Sequence, residues 1–160
     1  TRLGSAEAVR EQIAAMVSAG RLPEAEADLV PVADLVWFGT TPEASLLAEH
    51  TRDCRREIPF VYALPVEDLG ERIIVRGIID CLVELPDGLL ILDYKTDRIP
   101  DAATWEGRVA AYGVQLQLYA AAAAEVFARS VKRALLVFLH GRKVVEVPLE
   151  APALPAMLGG

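Results

Sequence analysis

GIIDCLVELPDGLLILDYK, residues 77–95, is the stretch on which the fold turns. Two apolar, β-branched runs flank Pro86-Asp87-Gly88, a turn signal, so the segment reads as a β-hairpin. Its second run is greasy from Leu89 to Leu92 and then ends on Asp93, Tyr94 and Lys95. Alternate side chains of a strand share a face, so Asp93 and Lys95 point one way and Tyr94 the other. Folded about Asp87-Gly88, the hairpin sets Asp93 opposite Leu82 and Lys95 opposite Asp80. Asp80 and Asp93 are then diagonal neighbours, roughly 7–8 Å apart or less.

Two converging carboxylates repel, so one takes up a proton or both share a cation. Donors that are all oxygen favour hard ions such as magnesium or manganese. A lysine beside them can orient water or stabilise developing negative charge. Hydrolysis of a phosphodiester is the natural reaction of this set. The same spacing also fits a surface salt-bridge cluster at a strand end, and spacing alone leaves both open.

Outward from the hairpin, residues 56–64 and 72–85 read as strands. A loop is expected over 97–106, and an alanine-rich helix over about 107–128. Residues 132–140 and 143–149 suggest a last hairpin around Gly141-Arg142. Before all of these, residues 5–19 pattern as a helix capped by Ser5 and ended by Gly20. A second helical stretch begins near Pro23 and is broken or kinked at Pro31. A third begins at Thr41-Pro42-Glu43. Helices, three strands, a long helix and two strands make an α/β (mixed α+β) chain around a mixed central sheet.

The chain has 160 residues, which suggests one domain, and 53 % of them are hydrophobic, enough for a core. The net charge of −7 argues against a free-standing nucleic-acid binder, which needs a basic patch or a partner that supplies the grip. No run approaches the roughly 18 apolar residues of a membrane span, so no membrane partner is expected. Cys54 and Cys81 form no CxxC and read as buried free thiols. Thr1 is not an initiator methionine, which suggests a piece of a longer protein.

Asp80, twelve residues, then Asp93-Tyr94-Lys95 resembles the PD-(D/E)xK nucleases. "GIIDCLVELPDGLLILDYKTD" followed by "VQLQLYAAA" is similar to the nuclease domain at the C-terminus of AddA/RecB-type helicase–nucleases, and nearer AddA. "REIPFVYALP" upstream and "ALLVFLHGRKVVEV" downstream add to the likeness. It implies a restriction-endonuclease-like core over 51–150, with 1–50 as the N-terminal helical part and 151–160 as a flexible tail.

The likeness also implies roles. Asp80, Asp93 and the Tyr94 backbone carbonyl would hold Mg2+ or Mn2+. Lys95 would assist the attacking water, with Gln115 in the catalytic set and Tyr119 in support. Arg108, Tyr112, Gln115 and Tyr119 fall at helical steps of four, three and four, on one face. That face would contact phosphate, DNA backbone or ordered water. Gly77 either lets substrate or a helix approach the strand or marks a bulge. Glu57 either lines the site or binds a neighbouring arginine. Thr96 caps or hydrogen-bonds the loop.

The family's metal-binding histidine has no counterpart, since His50 lies too close to Glu57 and His140 stands at a turn. The expectation is an Mg2+-dependent deoxyribonuclease of exonuclease type acting in double-strand-break resection and recombinational repair. Its partners would be DNA single strands delivered from duplex ends, an AddB-like second subunit, and a helicase part of the same polypeptide. Its setting would be the bacterial cytoplasm. ATP would be used only in the helicase part, since no GxxxxGK[ST] occurs here. A catalytically silent docking module and a stand-alone nuclease in repair or defence are the rival readings.

Overall fold

The computed structural model describes residues 3–66 and 71–149. The expected tail at 151–160 lies outside them. Four helices come first: α1 (Ala6–Ser18), α2 (Glu24–Ala27), α3 (Val32–Gly39) and α4 (Pro42–Glu49). Ser5 caps α1 by accepting from the Ala8 amide, and Thr41 caps α4 by accepting from Ala44, with Pro42 in the first turn. The second helical stretch is two helices rather than one. Pro31 lacks an amide hydrogen, so the chain restarts there as α3.

Three antiparallel strands follow: β1 (Cys54–Val66), β2 (Glu71–Leu85) and β3 (Gly88–Lys95). Helix α5 (Ala102–Val126) crosses over to β4 (Val131–Phe138), which pairs parallel with β3, and β5 (Lys143–Glu146) closes the sheet antiparallel to β4. The order β1-β2-β3-β4-β5 is the mixed sheet expected from the sequence. Helix α5 begins five residues earlier than the expected 107, because Asp101 accepts from the Thr104 amide and caps it there.

Strands β3 and β4 are central and buried on both faces, hence their unbroken apolar runs. On one face, Leu82, Leu89, Ile91, Leu136 and Phe138 pack against Leu116, Ala120 and Ala123 of α5. On the other, Cys81, Val83, Leu90, Leu92, Leu135 and Val137 pack under Phe38 of α3 and Ala44 of α4. Each fully buried leucine contributes roughly 1.5–3 kcal/mol by leaving water.

The register of the β2–β3 hairpin differs from the expected one. Leu85 pairs with Gly88, so the turn residues are Pro86-Asp87, and Cys81 faces Leu92. The slip is two residues. Strand parity survives a shift of two, so Asp80 and Asp93 stay on one side, and they stand one step beyond the last pair rather than on a diagonal.

A second irregularity falls at Asp80. Arg56 pairs with Cys81 and Ile58 with Ile79, which leaves Glu57 and Asp80 at the position between. Glu57 adopts φ 50°, a left-handed conformation that costs a non-glycine residue about 1 kcal/mol or more. Ile79 and Leu82, three residues apart, both face α5, which a regular strand does not permit. Here β2 changes which face looks at α5 and leaves β3, since pairing with β3 begins only at Cys81.

Candidate active site

Where β2 parts from β3, a side chain replaces the missing backbone partner. The Tyr94 amide donates to Asp80 Oδ2 at 2.8 Å. A strand residue's N–H and C=O point to the same edge, so the Tyr94 carbonyl is also aimed toward Asp80. The Tyr94 ring turns to the opposite face and meets Phe38 edge-on at 5.7 Å. Alternation therefore places Asp93 and Lys95 on the α5 side, as the sequence suggested.

Asp93 is 5 % exposed. Burial pushes its carboxyl above the usual carboxylate range; the Lys95 ammonium pulls it back, and the charge of Asp80 pushes it up again. Lys95 Nζ lies 2.5 Å from Asp93 Oδ2. The contact is a buried ion pair, and with Asp80 nearby two carboxylates share one ammonium, an excess of negative charge suited to a further cation or a proton.

Helix α5 supplies the opposite wall. Lys95 Nζ donates to Gln115 Oε1 at 3.1 Å, and Gln115 Nε2 donates to Tyr119 Oη at 2.9 Å. The ammonium also sits over the Tyr112 ring, 4.1 Å from its centroid. The Tyr112 hydroxyl donates to Asp97 Oδ2 at 2.9 Å; burial and the Asp97 carboxylate raise its pKa. Arg108 extends the row, its guanidinium 6.0 Å from the same ring. One lysine is thus held from three directions, by the Asp93 carboxylate, the Gln115 carbonyl and the Tyr112 ring.

Gly77 explains how α5 comes so near. A Cβ there would lie 2.8 Å from Phe60 Cε1 and 2.9 Å from Tyr119 Cε1. The close approach is that of the helix's tyrosine, and the strand irregularity lies three residues further on.

One expectation is corrected: Thr96 is exposed and its hydroxyl makes no hydrogen bond among the described residues, and Asp101 caps the following helix instead. Of the two readings of Glu57, the ion pair fails, since Glu57 is exposed and pairs with no arginine among the described residues; it stands level with Asp80 at the strand irregularity. The histidines stand with other acids: His50 Nδ1 is 3.5 Å from Asp53, and His140 Nδ1 is 3.4 Å from Asp34. No group of three or more His, Cys, Asp or Glu side chains able to hold a metal occurs among the described residues. The protein donors at the site are two carboxylates and a carbonyl. Asp97, which accepts from Tyr112, is a neighbour that the motif does not include, although it lies two residues after Lys95.

The profile of the PD-(D/E)XK nuclease superfamily matches residues 2–158. A Moorella thermoacetica protein, one of the subunits of an ATP-dependent helicase/nuclease, is 38 % identical over 136 residues, 79 % of this chain and 9 % of that protein. The protein of the same name from Anoxybacillus flavithermus is 34 % identical over 94 % of this chain and 12 % of its own length. That of Listeria welshimeri is 29 % identical over 81 % and 11 %. The chain spans about a tenth of the length of these relatives.

Proposed function

Because the chain belongs to the PD-(D/E)XK nuclease superfamily, we propose that it hydrolyses phosphodiester bonds of DNA at Asp80, Asp93 and Lys95. The observation that carries this reading is the buried Asp93 carboxylate, held against the Lys95 ammonium and close enough to Asp80 for that charge to raise its pKa. Asp80, Asp93 and the Tyr94 carbonyl fit a hard divalent ion, Mg2+ or Mn2+, as an all-oxygen set. Such an ion supplies Lewis acidity toward a phosphoryl oxygen and lowers the pKa of water.

The remaining work falls to the side chains. Lys95 holds a water or a phosphoryl oxygen by one of its three N–H donors and offsets the negative charge that grows during displacement. Gln115 fixes the ammonium through Oε1. Tyr119 accepts from Gln115 and keeps its own O–H free to donate to a phosphate oxygen. Tyr112, tied to Asp97, shields one side of the ammonium from water, and Arg108 stands ready for a neighbouring phosphate. The restriction-endonuclease-like core places these groups at the end of two buried strands, where little can move.

The relatives' printed names, subunits of an ATP-dependent helicase/nuclease, support reading the chain as the nuclease part of such an enzyme. We infer further that the enzyme works in the bacterial cytoplasm and resects double-strand breaks for recombinational repair. An AddB-like second subunit completes the assembly, and the strand arrives single from a duplex end through the helicase part. A net charge of −7 suits a domain to which the strand is delivered. No helix among the described residues is long and apolar enough to cross a membrane.

The test is cleavage of an end-labelled single-stranded oligonucleotide by the chain with Mg2+ or Mn2+. Activity abolished by chelation and by Asp93→Ala supports the reading. A second reading is favoured by the small donor set, since no third acid or imidazole joins Asp80 and Asp93 in a metal-holding group among the described residues: the fold is kept for docking. It predicts no cleavage by this chain, and full activity of the longer protein carrying Asp93→Ala.

A further inference from the structure

Cys54 on β1 and Cys81 on β2 are the only cysteines of the chain, and their sulfurs lie 3.4 Å apart, in contact without a bond. Cys54 pairs with Val83 and Cys81 with Arg56, so the two thiols are diagonal neighbours on the face opposite α5. They differ in access: Cys54 is half-buried, whereas Cys81 is 1 % exposed. A reagent from solvent therefore meets Cys54 first, and the electrophile within reach of the Cys81 sulfur is an oxidised Cys54.

The pair stands beside the irregular step of the ribbon. Asp80 immediately precedes Cys81, and Asp80 and Glu57 occupy the position where β1 and β2 miss a pair. Cys81 is also the residue at which β2 begins to pair with β3. A disulfide holds its sulfurs about 2.0 Å apart, so closing the contact draws them about 1.4 Å nearer. Diagonal strand neighbours sit at the edge of the span that a disulfide bridges, so the backbone has to follow. The regular pairs at Cys54 and Cys81 resist that movement, and the unpaired step at Asp80 yields to it. There the Asp80 carboxylate reaches the Tyr94 amide over 2.8 Å.

We propose that Cys54 and Cys81 are an oxidation site, whose disulfide draws Asp80 off the Tyr94 amide and weakens the candidate metal centre. Hydrogen peroxide transfers one oxygen to the Cys54 thiol, giving a sulfenic acid, and leaves as water. The Cys81 sulfur then attacks the Cys54 sulfur. The S–S bond forms, the S–O bond breaks, and the hydroxyl departs with the Cys81 proton as a second water. The two thiols lose two electrons, and the peroxide gains them. Burial leaves little of Cys81 as thiolate; contact offsets this, because attack within one structure has a high effective molarity. A thiol reductant reverses the bond by exchange. The metal part of the inference rests on reading the centre as a nuclease, and the bridge does not.

The test is hydrogen peroxide on the whole chain, followed by alkylation in denaturant and mass spectrometry. Treated wild type is expected to take label at neither cysteine until it is reduced. In the bridged chain, exchange of the Tyr94 amide hydrogen, followed by NMR, is expected to quicken. Mn2+ affinity by calorimetry is expected to fall about tenfold, the equivalent of one hydrogen bond, and to return after reduction. Cys54→Ser is expected to keep the affinity of the reduced chain after peroxide. Cys81→Ala, which leaves the Cys54 sulfenic acid without a partner, is expected to keep it too, so the loss belongs to the bridge. The proposal is overturned if treated wild type still takes label at Cys81, if the bridged chain matches the reduced one in Tyr94 exchange, or if Cys54→Ser loses as much affinity as wild type. A reduced chain that binds no Mn2+ would instead defeat the nuclease reading; labelling and Tyr94 exchange would still decide the bridge and its pull on Asp80.

Discussion

Replacing Gly77 with alanine puts a methyl group 2.8 Å from Phe60 Cε1, 2.9 Å from Phe60 Cζ and 2.9 Å from Tyr119 Cε1. Carbon atoms rest at about 3.5–4.0 Å, so the two rings must withdraw by about 0.6–1.2 Å. Phe60 and Tyr119 already meet edge-on at 5.0 Å in one cluster with Ile79 and Ala120, and Tyr119 also borders an open cavity, so its ring is the one that gives way. Overpacking of this kind costs about 1–3 kcal/mol. Gly77 does not hold a positive φ, so alanine recovers about 0.4–1 kcal/mol by restricting the unfolded chain. The net loss is about 1–2 kcal/mol, a fall in Tm of about 2–8 °C at this chain length. The same displacement carries Tyr119 Oη away from Gln115 Nε2, now at 2.9 Å, and loosens the group that fixes Lys95. Cleavage is expected to fall about tenfold, the equivalent of one hydrogen bond. Thermal unfolding and oligonucleotide cleavage are the assays, with Tyr119→Phe, which removes the hydroxyl and adds no bulk, as the comparison. Adding Phe60→Leu to Gly77→Ala makes room and recovers part of the stability through coupling of about 0.5–3 kcal/mol. Gly77→Ala melting at or above the wild-type temperature with undiminished cleavage would refute the packing account.

Asp93→Asn is expected to lose less stability than wild type as pH rises from acid to neutral. Folded Asp93 keeps its proton to higher pH than the unfolded chain does, so its contribution to stability falls as pH rises above the usual carboxylate range, and the asparagine removes that fall. A wild-type melting temperature that rises relative to the variant's over that range would contradict the direction of the shift. Asp34, 8 % exposed, accepts from Arg142 Nε at 3.1 Å and ties the β4–β5 turn to α3. Asp34→Ala is expected to cost about 1 kcal/mol, a modest figure because Arg142 is half exposed, and thermal denaturation reads it. Cys54 and Cys81 have their sulfurs 3.4 Å apart, and burial together with the Cys54 contact pushes the Cys81 thiol up to about 12. A thiol reagent at neutral pH is expected to label Cys54 in the folded chain and Cys81 only after unfolding; equal native rates would count against that environment.

The hairpin of residues 77–95 shows why part of this is readable in the sequence and part is not. Period-two alternation puts Asp80, Asp93 and Lys95 on one side, and an error of two residues in the turn leaves that unchanged. The sequence misplaces the turn because Gly88 looks like a turn glycine. It is a glycine for space: a Cβ there would lie 2.5 Å from the Ser130 carbonyl oxygen at the start of β4, a neighbour that sequence spacing does not announce. Helical periodicity gathers Arg108, Tyr112, Gln115 and Tyr119 correctly, since i, i+3 and i+4 positions share a face. The expected beginning of α5 falls too late because Gly107 weakens the helical pattern, whereas Asp101 marks the end that the structure uses. The change of face at Glu57 and Asp80 is illegible, because it depends on two strands departing from regularity at one shared position. Thr96 has the right chemistry for the contact expected of it, but Asp101 caps the helix that follows.

Titration of the chain with Mn2+ by calorimetry tests the central claim most directly. The account predicts one ion bound per chain, binding lost in Asp80→Ala and in Asp93→Ala, and binding kept or strengthened in Lys95→Ala, where a competing ammonium is gone. Mn2+ affinity unchanged by Asp80→Ala and Asp93→Ala would contradict it.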